Sequence, residues 1–422
     1  MSSRAVRRAA LAVLLPGLGG AWAQDPETSA LMLADEAPAI VERASDWHLF
    51  VEGAGGGRRR DGTAEDHWRL SVDIRYDHSL TRDWRVFMAD RLDLGWPAQG
   101  GGDTAINTLK EAYLSWRARP DVMLDLGRIN TRHGVASGYN PTDWFRAGAL
   151  RSVVSIDPAS LKENRQGSVM LRGQRLWEGG SLTALYSPGL ERHPDRNGLS
   201  LDLGATNPRA RWLITLGQNI GGLTPQFLVY REQGMPPQFG LNLTALVNDA
   251  TVAHIEWSGG RAPSLLAQAL PPPAPARAPN TWRNHLAAGI THTTSTRISL
   301  SAEYHYNGAG LDKAAWTALR HGPPTAYWQY RARARTTQEP PTRHGLFVHA
   351  TWQDALIPRL DLGLMHNLDL TDASRRTWVE ARYHVANLEY AVQWQRTHGR
   401  QTSQFGALPE SRGWQAVVRY YR

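Results

Sequence analysis

From Trp47 to Arg422 the chain alternates apolar with polar residues in stretches of roughly nine to twelve, joined by connections that are alternately short and long. Residues 388–395 show the unit. Leu388, Tyr390, Val392 and Trp394 fall on one face, and Glu389, Ala391, Gln393 and Gln395 fall on the other. Leu70, Val72, Ile74 and Tyr76 oppose Arg69, Ser71, Asp73, Arg75 and Asp77 in the same way. Period two marks a strand, because successive side chains leave a strand on opposite sides. A sheet with one apolar, aromatic-ended face and one charged face suits a closed barrel in a membrane, with lipid outside and a wet lumen inside.

Eighteen strands are expected, at 47–57, 67–78, 83–95, 106–118, 121–132, 167–177, 180–188, 209–219, 223–232, 238–248, 251–259, 282–293, 297–308, 344–355, 359–369, 376–386, 388–398 and 413–422. The third, fifth and ninth alternate poorly, and a bulge is one reason a strand does so. Connections after even-numbered strands are tight, as at Arg119-Pro120, Glu178-Gly179 and Ala386-Asn387. The long ones are 133–166, 189–208, 260–281, 309–343 and 399–412. The expected class is all-β, a transmembrane antiparallel up-and-down barrel with long extracellular loops. A propeller would need a blade repeat of about 40 residues, which is absent. A sandwich of this size would bury faces that are too charged here.

Residues 1–23 read as a secretory signal peptide, with Arg4, Arg7 and Arg8, an apolar stretch from Ala9 to Leu18, and Ala21-Trp22-Ala23 at the cleavage site. The residues around Arg7-Arg8 do not continue a twin-arginine pattern. Residues 24–46 are a periplasmic segment or a small plug, and 47–422 are the barrel. No apolar run after Ala23 is long enough for a membrane helix. The absence of cysteine excludes disulfides, thiolate catalysis and cysteine-held metal.

A barrel of this width leaves room for an aqueous channel, so its chemistry lies in the charges that project inward. The positive balance is carried by arginine, with only Lys110, Lys162 and Lys313 as lysines. Candidate lumen positions are Arg69, Arg75, Arg117, Arg128, Arg172, Arg211, Arg382 and Arg419, interspersed with Asp73, Glu111, Asp125, Glu256, Glu303, Asp361 and Glu380. Arginine forks onto carboxylate or phosphate and keeps its charge, and arginine rings bias a pore toward anions. The same arginines also suit cross-strand pairs that hold the wall, and the two readings stay open. The formal charge of +8 includes three leader arginines, so +5 remains on the mature chain. Selectivity is therefore expected to be mild. Tryptophans at strand ends, Trp378 among them, are assigned to interfacial girdles. Trp316, Tyr327 and Trp328 fall in the 309–343 connection, where ligand contact is the expectation.

Leu109-Lys110-Glu111-Ala112-Tyr113-Leu114 is followed by Leu126-Gly127-Arg128, and the next connection carries Asn140-Pro141-Thr142-Asp143-Trp144-Phe145-Arg146. This run of about 40 residues resembles the corresponding stretch of large outer-membrane barrels of the alginate-export and substrate-specific porin type. The resemblance implies a channel in a Gram-negative outer membrane, lined by arginines and gated by loops, with a small anion or an anionic polysaccharide as solute. It also implies lipid, lipopolysaccharide and the barrel-assembly machinery as partners. The chain departs from the usual barrel ending, since Arg422 follows Tyr420-Tyr421.

Asn140, Pro141, Asp143 and Arg146 are the candidate constriction residues, with a turn at 140–143 set by Asx and proline chemistry. Arg128, Arg132, His133 and Arg146, close in sequence to Asp143, are candidates for pinning this connection to the wall. Asp157 before Pro158 is a helix-start signal. Catalytic, metal and cofactor sites are not expected, since no G-x-S-x-G or H-E-x-x-H motif is present, and His305 and His384 read as wall histidines. Gly55-Gly56-Gly57 and Gly100-Gly101-Gly102 read as loop tips, and Pro271-Pro272-Pro273 as a stiff spacer. No nucleic-acid partner is expected. A porin-like channel is the leading function, an acidic exopolysaccharide exporter the second, and a closed barrel binding glycan through its loops the third.

Overall fold

The computed structural model describes residues 45–99, 103–195, 197–270 and 280–422. The leader, most of 24–46, Gly100–Gly102 and Pro271–Pro273 lie outside the described residues. The first strands are β1 (Trp47–Arg60), β2 (Thr63–Ser79), β3 (Trp84–Gln99), β4 (Asp103–Arg119), β5 (Val122–Ile129) and β6 (Ser168–Trp177). Then come β7 (Gly180–Ser187), β8 (Arg211–Gln218), β9 (Gln226–Glu232), β10 (Gln238–Asn248), β11 (Thr251–Ala262) and β12 (Thr281–Thr293). The ring is completed by β13 (Ile298–Asn307), β14 (His344–Trp352), β15 (Leu360–Asp369), β16 (Arg375–Val385), β17 (Leu388–His398) and β18 (Glu410–Tyr421). Each strand pairs antiparallel with its neighbours in sequence, and β1 pairs with β18. The sheet therefore closes and leaves no edge, which lets every ladder bond be satisfied inside lipid.

Alternation sorts the side chains as the sequence implies. On β17, Tyr390 and Val392 are 46% and 55% exposed, whereas Glu389 and Gln393 are each 4% exposed. Connections after even-numbered strands are two to seven residues long and share one end with Trp47 and Tyr421. Those that follow β5, β7, β11, β13 and β17 leave from the other end. The wall is uneven. β2 and β4 have 17 residues and β9 has 7. A 17-residue strand extends about 55 Å, beyond the roughly 30 Å hydrocarbon core even when tilted.

Irregular alternation has two causes, one on the β3–β4 ladder and one across β5–β9. In β4 a register shift opposite Ala89/Asp90 marks a bulge, and consecutive Lys110 and Glu111 both make inward contacts, to Asp73 and to the Asn130 amide. In β5–β9 both faces are apolar: Ile129, Met170, Leu185, Leu213, Leu228 and Tyr230 form an internal cluster.

Four expectations are corrected. Gly55–Gly57 lie inside β1, not at a loop tip; a side chain at Gly55 would run into the Trp68 ring and one at Gly56 into the Trp414 carbonyl. Trp378 is no girdle residue, because it shares its face with Glu380 and packs inside against Phe347 and Met365. Helices occur in the connections: α1 (Pro158–Glu163), α2 (Leu203–Thr206), α3 (Leu265–Ala269), α4 (Lys313–His321) and α5 (Pro324–Thr337). The first begins at Asp157, whose carboxylate accepts from the Ser160 amide 2.9 Å away, as its sequence signal implies. The other four were not anticipated. Finally, Trp316, Tyr327 and Tyr330 are the buried core of that helical hairpin, packed with Leu265 and Leu311, so two of the three aromatics expected to meet ligand are structural; Trp328 alone is exposed.

Candidate functional site: a loop across the bore

The connection from Asn130 to Gly167 turns into the barrel. Its first part runs to the wall formed by β10–β14. Glu256 of β11 accepts from the amides of Val135 (2.9 Å), Ala136 (3.1 Å) and Thr142 (2.8 Å), and from the Asn140 and Thr142 side chains. Glu303 of β13 accepts from the amides of Ser137 (2.7 Å) and Gly138 (2.9 Å), and His254 and His305 flank it. Gly138 lies flat against Phe347 of β14 and His305. In a ring of 18, β14 stands nine strands from β5, so the chain reaches the opposite wall. Both carboxylates are buried. Each is held by several donors at once, which is how a buried acid without a fixed cation is accommodated.

Local sequence sets this path. Gly134 has φ +98°, and a side chain there would overlap the Glu256 carboxylate. Asn140-Pro141-Thr142-Asp143 forms the expected turn, closed by the Asp143 amide on the Asn140 carbonyl at 3.2 Å. Trp144 then stacks on Tyr230 with centroids 4.9 Å apart, and Phe145 joins the cluster from β5–β9. The loop thereby covers the part of the lumen wall that is apolar. Beyond it, Ile156 packs against Phe347, Met365 and Trp378, and Gln415 of β18 donates to the Val154 carbonyl at 3.4 Å.

Of the residues expected to pin the connection to the wall, Arg146 tethers it elsewhere, and Asp143 is held from within the connection. Its partner is Arg165, at 2.6 Å, from the returning limb of the same connection. Arg146 instead pairs with Glu339, just past α5. The Tyr139 hydroxyl also donates to Glu339 and lies 3.0 Å from Nδ1 of His285. Burial pushes the Tyr139 phenol well above its ordinary value, and the adjacent Glu339 charge adds to this. Burial lowers the Lys162 ammonium, which donates to the Ala136 carbonyl at 2.9 Å.

The other side of the bore, from β16 through the β18–β1 seam to β6, carries the charges. Glu52 of β1 pairs with Arg69 of β2 and, at 2.5 Å, with Arg419 of β18. Arg91 pairs with Asp93 at 2.9 Å, and Lys110 with Asp73 at 2.5 Å. Arg172 meets Asp125 at 2.9 Å, and Arg382 meets Glu380 at 2.5 Å and Glu389 at 3.3 Å. Arg75 keeps its side chain 43% exposed, with Asp77 at 3.6 Å, and Arg382 keeps 35%.

The remaining candidates differ. Arg117 shares a face with Ser115 toward the short-turn end. Arg211 is buried beneath the loop, donating to Ser168 and lying 4.4 Å from the Phe145 ring centre. Arg128 stands apart from the lumen set. Its register neighbours are Ala112 and Val169, on the face of outward Leu126, and it is buried with two guanidinium nitrogens unpartnered. Arg91 and Arg165 were not singled out from sequence, because their roles depend on which strands and loop limbs meet. No group of three metal-ligating side chains occurs among the described residues.

No family model matches the chain, and no curated protein matches it. Solved structures do resemble its fold. The structure of OccK2 (OpdF) from Pseudomonas aeruginosa in complex with glucuronate aligns at 12% identity and TM-score 0.55, over 89% of this chain and 97% of that one. OccAB3 from Acinetobacter baumannii aligns at 7% identity and TM-score 0.54, over 89% and 98%. OpdQ from Pseudomonas aeruginosa aligns at 12% identity and TM-score 0.51, over 90% and 99%. These are outer-membrane porins with 18-strand barrels. At such identities the likeness is one of fold, and it does not bear out the alginate-export resemblance.

Proposed function

We propose that this chain is a non-enzymatic, porin-like channel of the outer membrane that passes small polar solutes with a mild preference for anions. The observation that carries this reading is the 130–167 connection, anchored through its backbone to Glu256 and Glu303 and facing a wall rich in arginine. A loop held this way narrows a bore without filling it, and the exposed guanidiniums of Arg75 and Arg382 lie where a solute would pass. Cross-strand pairing of most other lumen arginines supports a modest selectivity. In this reading the leader is removed near Ala23, the termini and short turns face the periplasm, and lipid, lipopolysaccharide and the barrel-assembly machinery are the partners. A neighbour solved with glucuronate supports small acidic solutes as the class to try first.

The test is single-channel recording in planar bilayers under a salt gradient. Discrete conductance steps with a reversal potential on the anion side are expected. A barrel that inserts but conducts nothing would favour a closed, loop-binding protein instead.

A further inference from the structure

We propose that the long-loop mouth holds a second, separate anion site, built to take the carboxylate or phosphate group of a free solute between Arg192, Arg209 and Arg333. A cavity of about 420 Å³ lies there, lined by these three arginines with Pro208, Glu232 and Gln233. Arg192, Pro208 and Arg209 belong to the connection between β7 and β8, Glu232 ends β9, and Arg333 comes from α5. Three segments distant in sequence thus face one hollow.

Its charges do not balance. Glu232 is the one carboxylate of the lining, and it is engaged by Arg209 at 3.3 Å and by the Tyr230 hydroxyl at 3.1 Å. Arg333 uses one nitrogen on Gln268, at 2.7 Å, while its Nε is enclosed and has no partner. Burial lowers the Arg333 pKa, and Arg209 pushes in the same direction against a partial offset from Glu232. An incoming oxyanion supplies the missing counter-charge, and the guanidiniums of Arg192, Arg209 and Arg333 that line the hollow match its geometry. The volume suits a compact anion with a few waters, near the lower end of ordinary ligand pockets. The site lies at the mouth rather than among the arginines that face the bore, and it does not require conduction.

Calorimetric titration of the folded barrel in non-ionic detergent at low salt tests this, with inorganic phosphate and malonate as separate probes. Saturable binding is expected for at least one probe, with Kd raised about tenfold in Arg333→Gln and Arg209→Gln. Arg192→Gln, at an exposed position outside the strands, leaves the fold intact and should weaken binding in the same direction. Arg382→Gln in the lumen should leave Kd unchanged. No saturable binding, an unchanged Kd in the mouth variants, or equal weakening by Arg382→Gln would overturn the site. A barrel that binds with this pattern yet conducts nothing would overturn the channel and leave the site standing.

Discussion

The phenol of Tyr139 donates a 2.7 Å hydrogen bond to the carboxylate of Glu339, 200 residues further along the chain. Arg146 pairs with the same carboxylate, and the Gly148 amide donates to the Thr336 carbonyl at 2.9 Å. The loop across the bore and the α4–α5 hairpin over the mouth are thereby bolted together. Whatever moves one is expected to move the other.

Glu339→Ala removes the partner of a buried guanidinium, a change that costs about 3–5 kcal/mol when the remaining charge cannot reach water. The hairpin should loosen, and trypsin should cut residues 308–343 much faster than in the parent. Glu339→Gln should give an intermediate rate. Equal cutting of parent and Ala variant would show that the two connections are independent.

Tyr139 also implies a response to alkali. Its folded-state pKa is raised by burial, so the folded and unfolded states are both protonated below about pH 10. Above that value the unfolded chain ionises first, and stability falls as pH climbs toward the folded pKa. Lys162, lowered by burial, acts in the opposite direction just below about pH 10.4. The informative quantity is therefore the difference between parent and Tyr139→Phe. The midpoint of the heat-induced gel shift should drop more steeply from about pH 10 upward in the parent. Parallel curves would remove Tyr139 from the argument.

Glu256→Ala strands three backbone amides at 2.8–3.1 Å from a carboxylate that is no longer there. Each buried donor left unpaired costs about 1–3 kcal/mol, enough to free the first limb of the loop. Single-channel conductance should rise and become noisier, while the barrel still resists detergent at room temperature. Unchanged conductance would mean that the loop does not set the passage.

On β17, Val392→Arg places a charge on the lipid face, at a cost of about 2–4 kcal/mol near the midplane. Gln395→Arg lies on the inner face beside Glu410, which already accepts from Gln395. Refolding yield into lipid vesicles should collapse for the first and stay near parental for the second. Similar yields would refute the assignment of faces.

Neutralising Arg75, Arg172 and Arg382 together should shift the reversal potential toward cations. The shift should be larger at 10 mM salt than at 150 mM, because the Debye length shrinks from about 30 Å to about 8 Å. An unaltered reversal potential at low salt would confine these arginines to holding the wall.

Strand count, facing and the pattern of short and long connections were legible because each is a local property of the chain. Tyr390 and Glu389 declare their sides within a few residues of sequence. The destination of the 130–167 connection was not, since its acceptors at Glu256 and Glu303 lie more than 100 residues away. The internal apolar cluster hid itself in the same fashion: Leu213 and Leu228 look misplaced on a wet face until Phe145 covers them. The α4–α5 hairpin did leave signals, in Asp312 as an N-cap and Pro323-Pro324 between the helices. A functional expectation for its aromatics concealed their role as core. Trp378 shows the reverse error, where residue type was allowed to outweigh the parity of its own strand.

Glu52 and Arg419 face each other across the pairing of β1 with β18, the last ladder a growing sheet can form. The loop follows β5, whereas its acceptors sit on β11 and β13, so several hairpins must be added before it has anywhere to dock. Once the first and last strands zip, the circumference is sealed and a segment of 38 residues has no lateral way in. After that, the loop can reach Glu256 and Glu303 only along the barrel axis, through the end where the 308–343 connection also lies. For this chain, closing the ring turns a sideways docking problem into an axial one.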